Sequence, residues 1–331
     1  MVREAGAIEA VVSAMTTHAD DAGVQQAACW ALRHTVSFIK KSKARASEAG
    51  AIEAVVSAMS THADHAGVQQ AACEALDYTI SFRDESQARA REAGAIEAVV
   101  SAMSTHADDA GVQQAACWAL KHIVDHIEES QARAREAGAI EAVVSAMSTH
   151  ADHAGVQQAA CEALDNTISF RDESQARARE AGAIEAVMRC LDRHADDLKV
   201  QQAACWALKY TMQYFRYQGT ARDAKAIEAA GAIEAVVGAM STHADKKWLQ
   251  NDGCKALRSM TEGMADSQAR AREAGAIEAV VSAMSTHADE MCLQWSACEA
   301  LESMTEGMAD SQARARAAGA IEAVVSAMST H

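Results

Sequence analysis

The side chains of this 331-residue chain best suited to chemistry are thirteen histidines, nine cysteines and 46 aspartates and glutamates. The tightest groupings are His62-Ala63-Asp64-His65 and His150-Ala151-Asp152-His153, each holding two imidazoles and a carboxylate, donor types that a zinc ion takes. A zinc site needs at least three protein ligands within about 2.3 Å of one ion, whereas equivalent turns of stacked units stand about 10 Å apart. The favoured reading is a solvated turn that caps a helix, with metal binding as the alternative. Cys29, Cys73, Cys117, Cys161, Cys205 and Cys254 take the same place in successive copies of one segment. Such places lie roughly 8–10 Å apart, beyond the Cα separation of about 7 Å that a disulfide tolerates, so buried reduced thiols are expected. Cys190, Cys292 and Cys298 are left outside that pattern. No glycine-rich phosphate loop, Ser/His/Asp set or paired-cysteine zinc spacing is present. The polar groups repeat instead of converging on one pocket, so neither catalysis nor a cofactor is expected.

The elements that position these groups are repeats. The stretch Val24-Gln25-Gln26-Ala27-Ala28-Cys29-Trp30-Ala31-Leu32 recurs in seven close copies. The glycines of a second segment, Ala-Gly-Ala-Ile-Glu-Ala, fall at Gly6, Gly50, Gly94, Gly138, Gly182, Gly231, Gly275 and Gly319, spaced by 44 residues except for one interval of 49. A fixed period in this range means that each unit buries its apolar face on its neighbours, the logic of a solenoid. Ser86 to Ala93 reads as a short first helix stopped by a left-handed Gly94. Ile96, Val99, Val100 and Met103 recur at i, i+3, i+4 and i+7 and mark the buried face of a second helix. A polar turn follows, in which Asp108 or Asp109 can cap a third helix.

That third helix carries two stripes. In the first copy Val24, Ala28, Ala31, Leu32 and Thr35 are the core stripe, and Gln26, Trp30, Arg33, His34 and Ser37 form a second face that the core does not use. A three-helix unit ending in Cys-Trp-Ala-Leu-Arg-His resembles the armadillo repeat, whose third helix carries a Trp-Ala-Leu-Ser-Asn-like signature; HEAT-like repeats of similar length fit less well. The resemblance covers nearly the whole chain. It implies an all-α fold, a right-handed superhelical solenoid of armadillo-type three-helix repeats, spanning residues 1–331 as a single array with partial repeats at both ends. It also implies that third helices line a concave groove, as in importin-alpha and beta-catenin, which hold extended peptides there.

On this face the tryptophan position reads Trp30, Glu74, Trp118, Glu162, Trp206, Lys255 and Glu299, and three residues later come Arg33, Asp77, Lys121, Asp165, Lys209, Arg258 and Glu302. The family's asparagine position reads His34, Tyr78, His122, Asn166, Tyr210, Ser259 and Ser303, so only Asn166 keeps the residue with which such grooves grip a peptide backbone. The sign of charge alternates. Across about 10 Å of water such opposites attract by only roughly 0.4 kcal/mol, so mutual satisfaction explains little, while duplication of a two-repeat block and selection for a ligand both account for the pattern. Residues 51–94 and 139–182 differ only at Tyr78 and Asn166. A peptide in the groove would meet alternate tryptophans about 20 Å apart, or one anchor in about six extended residues. Its Lys and Arg stems would stack on Trp30, Trp118 and Trp206, with Glu74, Asp77, Glu162 and Asp165 receiving the charge; Arg33, Lys121 and Lys209 favour a mixed-charge ligand.

A formal charge of −16 opposes nucleic-acid binding. The amino terminus lacks an apolar signal core and no run approaches the roughly 18 apolar residues that span a bilayer, so a cytoplasmic or nuclear chain without membrane contact is expected. With no terminal caps in view, the chain is read as a piece of a longer array or as one that associates end to end. The competing reading of the whole is a structural or engineered scaffold with no specific ligand. Residues 210–220 concentrate aromatics and include the five extra residues, as a lengthened loop or a local binding patch.

Overall fold

The computed structural model describes residues 2–36, 40–80, 85–125, 127–168, 172–212 and 231–330. Ser37, the Tyr210 side chain and residues 213–230, which hold most of the aromatic-rich insertion, lie outside the described residues. Among the described residues there are twenty-one α-helices and no strand. No described helix is long and apolar enough to cross a membrane. The chain divides into two compact units, residues 1–177 and 178–331. In each, three-helix repeats stack in armadillo fashion.

The repeat of residues 85–124 shows the local logic. Its first helix, Glu85–Glu92, closes through the N–H of Ala93 on Arg89 O (2.8 Å) and of Gly94 on Arg91 O (3.2 Å). Gly94 then takes φ +79°, a left-handed turn that a β-carbon would strain, and the second helix Ala95–Thr105 starts at once. Ile96, Val99, Val100 and Met103 are buried along one face, as the spacing predicts. The third helix, Ala110–Val124, begins where Asp109 Oδ1 accepts the N–H of Val112 at 3.0 Å. The first repeat differs, because Val2–Thr17 runs as one helix straight through Gly6.

In the first unit the third helices Ala22–Thr35, Ala66–Thr79, Ala110–Val124 and Ala154–Thr167 pack side by side, and in the second Leu198–Met212, Lys247–Thr261 and Met291–Thr305 do the same. Leu32, Leu76, Leu120, Leu164 and Leu208 are wholly buried between alanines and cysteines small enough to let the helices approach. Burial pushes the thiols of Cys29, Cys117 and Cys254 up to about 12 and those of Cys73 and Cys205 upward too, so all five behave as small apolar groups. Cys298 corrects the sequence reading, since it stands 44 residues after Cys254 and takes the seventh copy's place on Met291–Thr305. Cys190 is buried on the second helix Ala183–Arg193, and Cys292 is exposed.

Three polar ladders join the parts. One glutamine at the same place in each repeat sits in the core and donates twice from Nε2: Gln113, for instance, bonds Met103 O at 2.8 Å and His106 O at 2.9 Å. Gln25, Gln69, Gln157, Gln201, Gln250 and Gln294 repeat the pattern, closing carbonyls that a second helix leaves open at its end. The histidine turns form the second ladder. His62 Nε2 bonds Ala19 O at 2.8 Å, and His106 and His150 bond Ala63 and Ala107 O at 2.7 Å, each reaching the preceding turn; a carbonyl only accepts, so Nε2 carries the proton. His65 and His153 cap third helices, their Nδ1 accepting the N–H of Val68 and Val156 at 3.2 Å. Among the described residues no three histidines, cysteines or carboxylates gather as metal ligands. The third ladder links first helices to the preceding second helices by ion pairs: Arg45–Glu9 (3.2 Å), Arg89–Glu53 (4.0 Å) and Arg133–Glu97 in the first unit, and Arg270–Glu234 (2.7 Å) and Arg314–Glu278 in the second.

Candidate functional site

The second face of the third helices is partly solvated in each unit, with Asp165, Asn166 and Ser303 buried. Its side chains are not free. In the first unit Arg33 Nη1 donates to Glu74 Oε2 at 2.6 Å, and its guanidinium carbon lies 5.3 Å from the centroid of Tyr78. Lys121 pairs with Glu162 and places Nζ 5.0 Å from the centre of Trp118. Gln70 and Gln158 donate to the remaining oxygens of those glutamates, at 3.1 and 3.0 Å. His122 Nδ1 pairs with the Asp77 carboxylate, Asn166 Nδ2 donates to Lys121 O at 3.0 Å, and Asp165 is buried. His34 is exposed on the first helix of the series.

In the second unit Lys209 Nζ lies 5.1 Å from the Trp206 ring, and Arg258 Nη1 donates to Glu299 Oε2 at 2.7 Å. Ser259 and Ser303 bond inside the protein, to Lys255 O at 3.0 Å and to the Thr261 hydroxyl at 2.8 Å. The asparagine-position residues His122, Asn166, Ser259 and Ser303 therefore already have partners within the chain.

These contacts overturn the expectation, drawn from backbone spacing, that neighbouring groove charges stay about 10 Å apart. Equivalent backbone sites do stand about one helix spacing apart, but Arg, Lys and Glu are long enough to close the gap from both sides. The alternation of sign is thus a ladder in which a cation meets an acid 41 residues on: Arg33 with Glu74, Lys121 with Glu162, Arg258 with Glu299. Each pair is partly solvated, so it adds at most about 1 kcal/mol, and its larger effect is to fix the acids that a ligand's cations would seek.

The tryptophans differ among themselves. Trp30 is 46% exposed, whereas Trp118 and Trp206 are half-buried, each with a lysine of its own helix over the ring. The second unit also exposes Trp248 (62%), Met291 (63%) and Trp295 (70%), which the sequence reading passed over. The signal was present, since these residues stand where the first copy has Gly23, Ala22 and Gln26.

Asp252 is a further outlier. It occupies the place of Ala27, is 1% exposed, and accepts from Gln202 Nε2 at 3.4 Å. Burial raises its carboxyl from 3.8 to about 6 even though Lys255 and Lys209 act in the opposite direction.

The armadillo/beta-catenin-like repeat family matches residues 1–37 and 84–125, and the family described as LRRK2 ARM repeat matches residues 171–331. No curated protein matches. A crystal structure of an engineered protein is similar at 33% identity and a TM-score of 0.66, over 77% of this chain and 99% of that one. Another engineered protein is similar at 25% identity and a TM-score of 0.80, over 96% of this chain and 72% of that one. A designed armadillo repeat protein in complex with the peptide (KR)4 shares the fold at 23% identity and a TM-score of 0.63, over 77% of this chain and 99% of that one.

Proposed function

The chain is an armadillo-repeat protein, and from that we propose that its third helices bind an extended peptide or protein segment of mixed charge. The observation that carries this reading is the partly solvated face itself, with an open Trp30 ring beside alternating ion pairs. A ligand of mixed charge exchanges for those pairs: its Lys or Arg takes Glu74 while its Asp or Glu takes Arg33, so no charge is left uncompensated. A uniformly basic peptide in the first unit meets Arg33 and Lys121 instead. The fold's likeness to a designed armadillo protein bound to (KR)4 supports a peptide as the class of partner. Recognition without catalysis and without a cofactor follows from polar groups that repeat along the array. A cytoplasmic or nuclear setting is part of the proposal.

An alternating Lys-Glu octapeptide is expected to bind more tightly than (KR)4 in calorimetric titration, and the first-unit variant W30A/W118A to lose at least about tenfold in affinity. Titrations that show no binding, or binding indifferent to the two tryptophans, would leave the scaffold reading in its place. Two findings support that second reading: the internal pairing of the groove charges and the likeness to engineered proteins.

Self-association belongs to the same proposal. Ile321, Val325 and Met328 are 57%, 56% and 78% exposed, although their counterparts Ile96, Val100 and Met103 are buried on a helix that packs against the third helix of its own repeat and against the next repeat. A second copy of the chain carries the matching repeat surface, so it is the occupant we assign. Light scattering should show the mean mass rising with concentration, and Val325→Glu should abolish the rise; a constant monomer mass up to about 10 mg/ml would contradict it.

A further inference from the structure

Trp30 and Trp118 lie in the same unit, at the same place of two copies of Val-Gln-Gln-Ala-Ala-Cys-Trp-Ala-Leu, and each faces a glutamate one repeat on. Yet one ring is open and the other is covered. Between the two copies the third helices differ at Arg33 against Lys121, Thr35 against Ile123 and Ser37 against Asp125, and the following repeats at Tyr78 against Asn166; among the described residues Trp118 alone also has a preceding third helix, Ala66–Thr79, packed beside its own.

The differences at Arg33 and Tyr78 act on where the cation goes. The planar Arg33 guanidinium is held by Glu74 at 2.6 Å and stacks on Tyr78 at 5.3 Å, which draws it away from Trp30; among the described residues no cation lies over that ring. Asn166 has no aromatic face to offer. Its amide donates instead to Lys121 O at 3.0 Å, and the Lys121 ammonium, paired with Glu162, settles 5.0 Å over Trp118. A compact ammonium can serve a carboxylate and a ring face together, as Lys121 does. In the other unit Lys209 lies over Trp206 at 5.1 Å, although Lys255 stands there in the place of Glu162.

We infer that Lys121 is a built-in occupant of the Trp118 face, and that Lys121–Asn166 in place of Arg33–Tyr78 decides whether the ring carries a cation of its own. The inference rests on the groove reading only for its consequence: a peptide's cationic side chain enters freely at Trp30 but must displace Lys121 at Trp118. Tyr78 and Asn166 are then specificity-determining positions, although neither lies on a tryptophan-bearing helix. The single divergence between the two duplicated segments thereby acquires a role.

Hydroxyl-radical footprinting of the intact chain, read by mass on the separate peptides that contain each tryptophan, tests this without any ligand. The exchange Lys121→Arg with Asn166→Tyr should raise Trp118 labelling about threefold, the population change expected when one solvated cation–π contact is removed, and leave Trp30 unchanged. Lys121→Ala should raise it as well, which guards against a misfolded exchange variant, and circular dichroism should show unaltered helix content in both. Trp118 labelling that stays at its original rate in both variants overturns the inference. Titration of the alternating Lys-Glu octapeptide into the same proteins separates it from the groove reading: labelling that rises with tighter peptide binding supports both, and labelling that rises while the peptide fails to bind supports the occlusion and removes the groove.

Discussion

Replacing Asp252 with alanine is expected to stabilise the second unit by up to about 3 kcal/mol at pH 8, and by little at pH 4. The carboxyl is 1% exposed, and burial lifts it from 3.8 to about 6, so the folded chain holds a proton there that the unfolded chain has released. For an acid whose folded value is raised, the stability cost is absent below the unfolded value, grows as pH rises between the two, and is complete above the folded value. A separation of about two units at about 1.4 kcal/mol each sets the size. Gln202 and Lys255 are only half-buried and can turn to water when their partner is removed. The other copies show that alanine fits, because Ala27, Ala71, Ala115, Ala159 and Ala203 hold this place. Urea unfolding of the parent and of Asp252→Ala at pH 4, 6 and 8 should therefore give curves that separate with rising pH. A gap of constant size would mean that the ionisation of Asp252 is not its source.

The second large effect falls on the buried glutamine ladder of the first unit. Gln113 is 2% exposed, and both of its donated bonds close carbonyls at the end of helix Ala95–Thr105. Gln113→Ala strands Met103 O and His106 O and leaves a cavity, which should cost about 2–4 kcal/mol. Gln113→Glu keeps the shape, yet an ionised carboxylate has no donor and faces two acceptors, so its loss should be larger at pH 8 than at pH 4. Lys121→Ala, which removes a solvated ion pair, should cost less than about 1 kcal/mol in the same assay. Denaturation midpoints that place Lys121→Ala below Gln113→Ala would reverse this ranking of the polar ladders.

Much of the fold was legible because it repeats. The 44-residue period, the glycine that stops the first helix and the i, i+3, i+4, i+7 stripe of Ile96, Val99, Val100 and Met103 are local rules, and each recurs often enough to be unmistakable. The core glutamine was not legible in this way. Gln25 and Gln26 look alike in sequence, and only packing shows that Gln25 turns inward to Met15 O while Gln26 lies against Gly67 of the next repeat. The turn histidines are a similar case: spacing offered a cap or a ligand set, and the neighbouring turn decided that His62 would bond Ala19 O.

The sequence by itself determined the elements, the faces they present and the residues that stand on each face, because helical periodicity fixes the direction of a Cα–Cβ bond to within one stripe. Only the tertiary structure decided what those side chains do on arrival. Arg33 reaches Glu74 and Tyr78, Lys121 reaches Glu162 and Trp118, and Asp252 loses its water, each through a neighbouring repeat more than 35 residues away or, for Trp118, through a rotamer that the neighbouring repeat selects. Side-chain reach is comparable to the spacing between stacked helices, so whether two charges touch or stay apart is settled by rotamers and burial, quantities that no one-dimensional period contains.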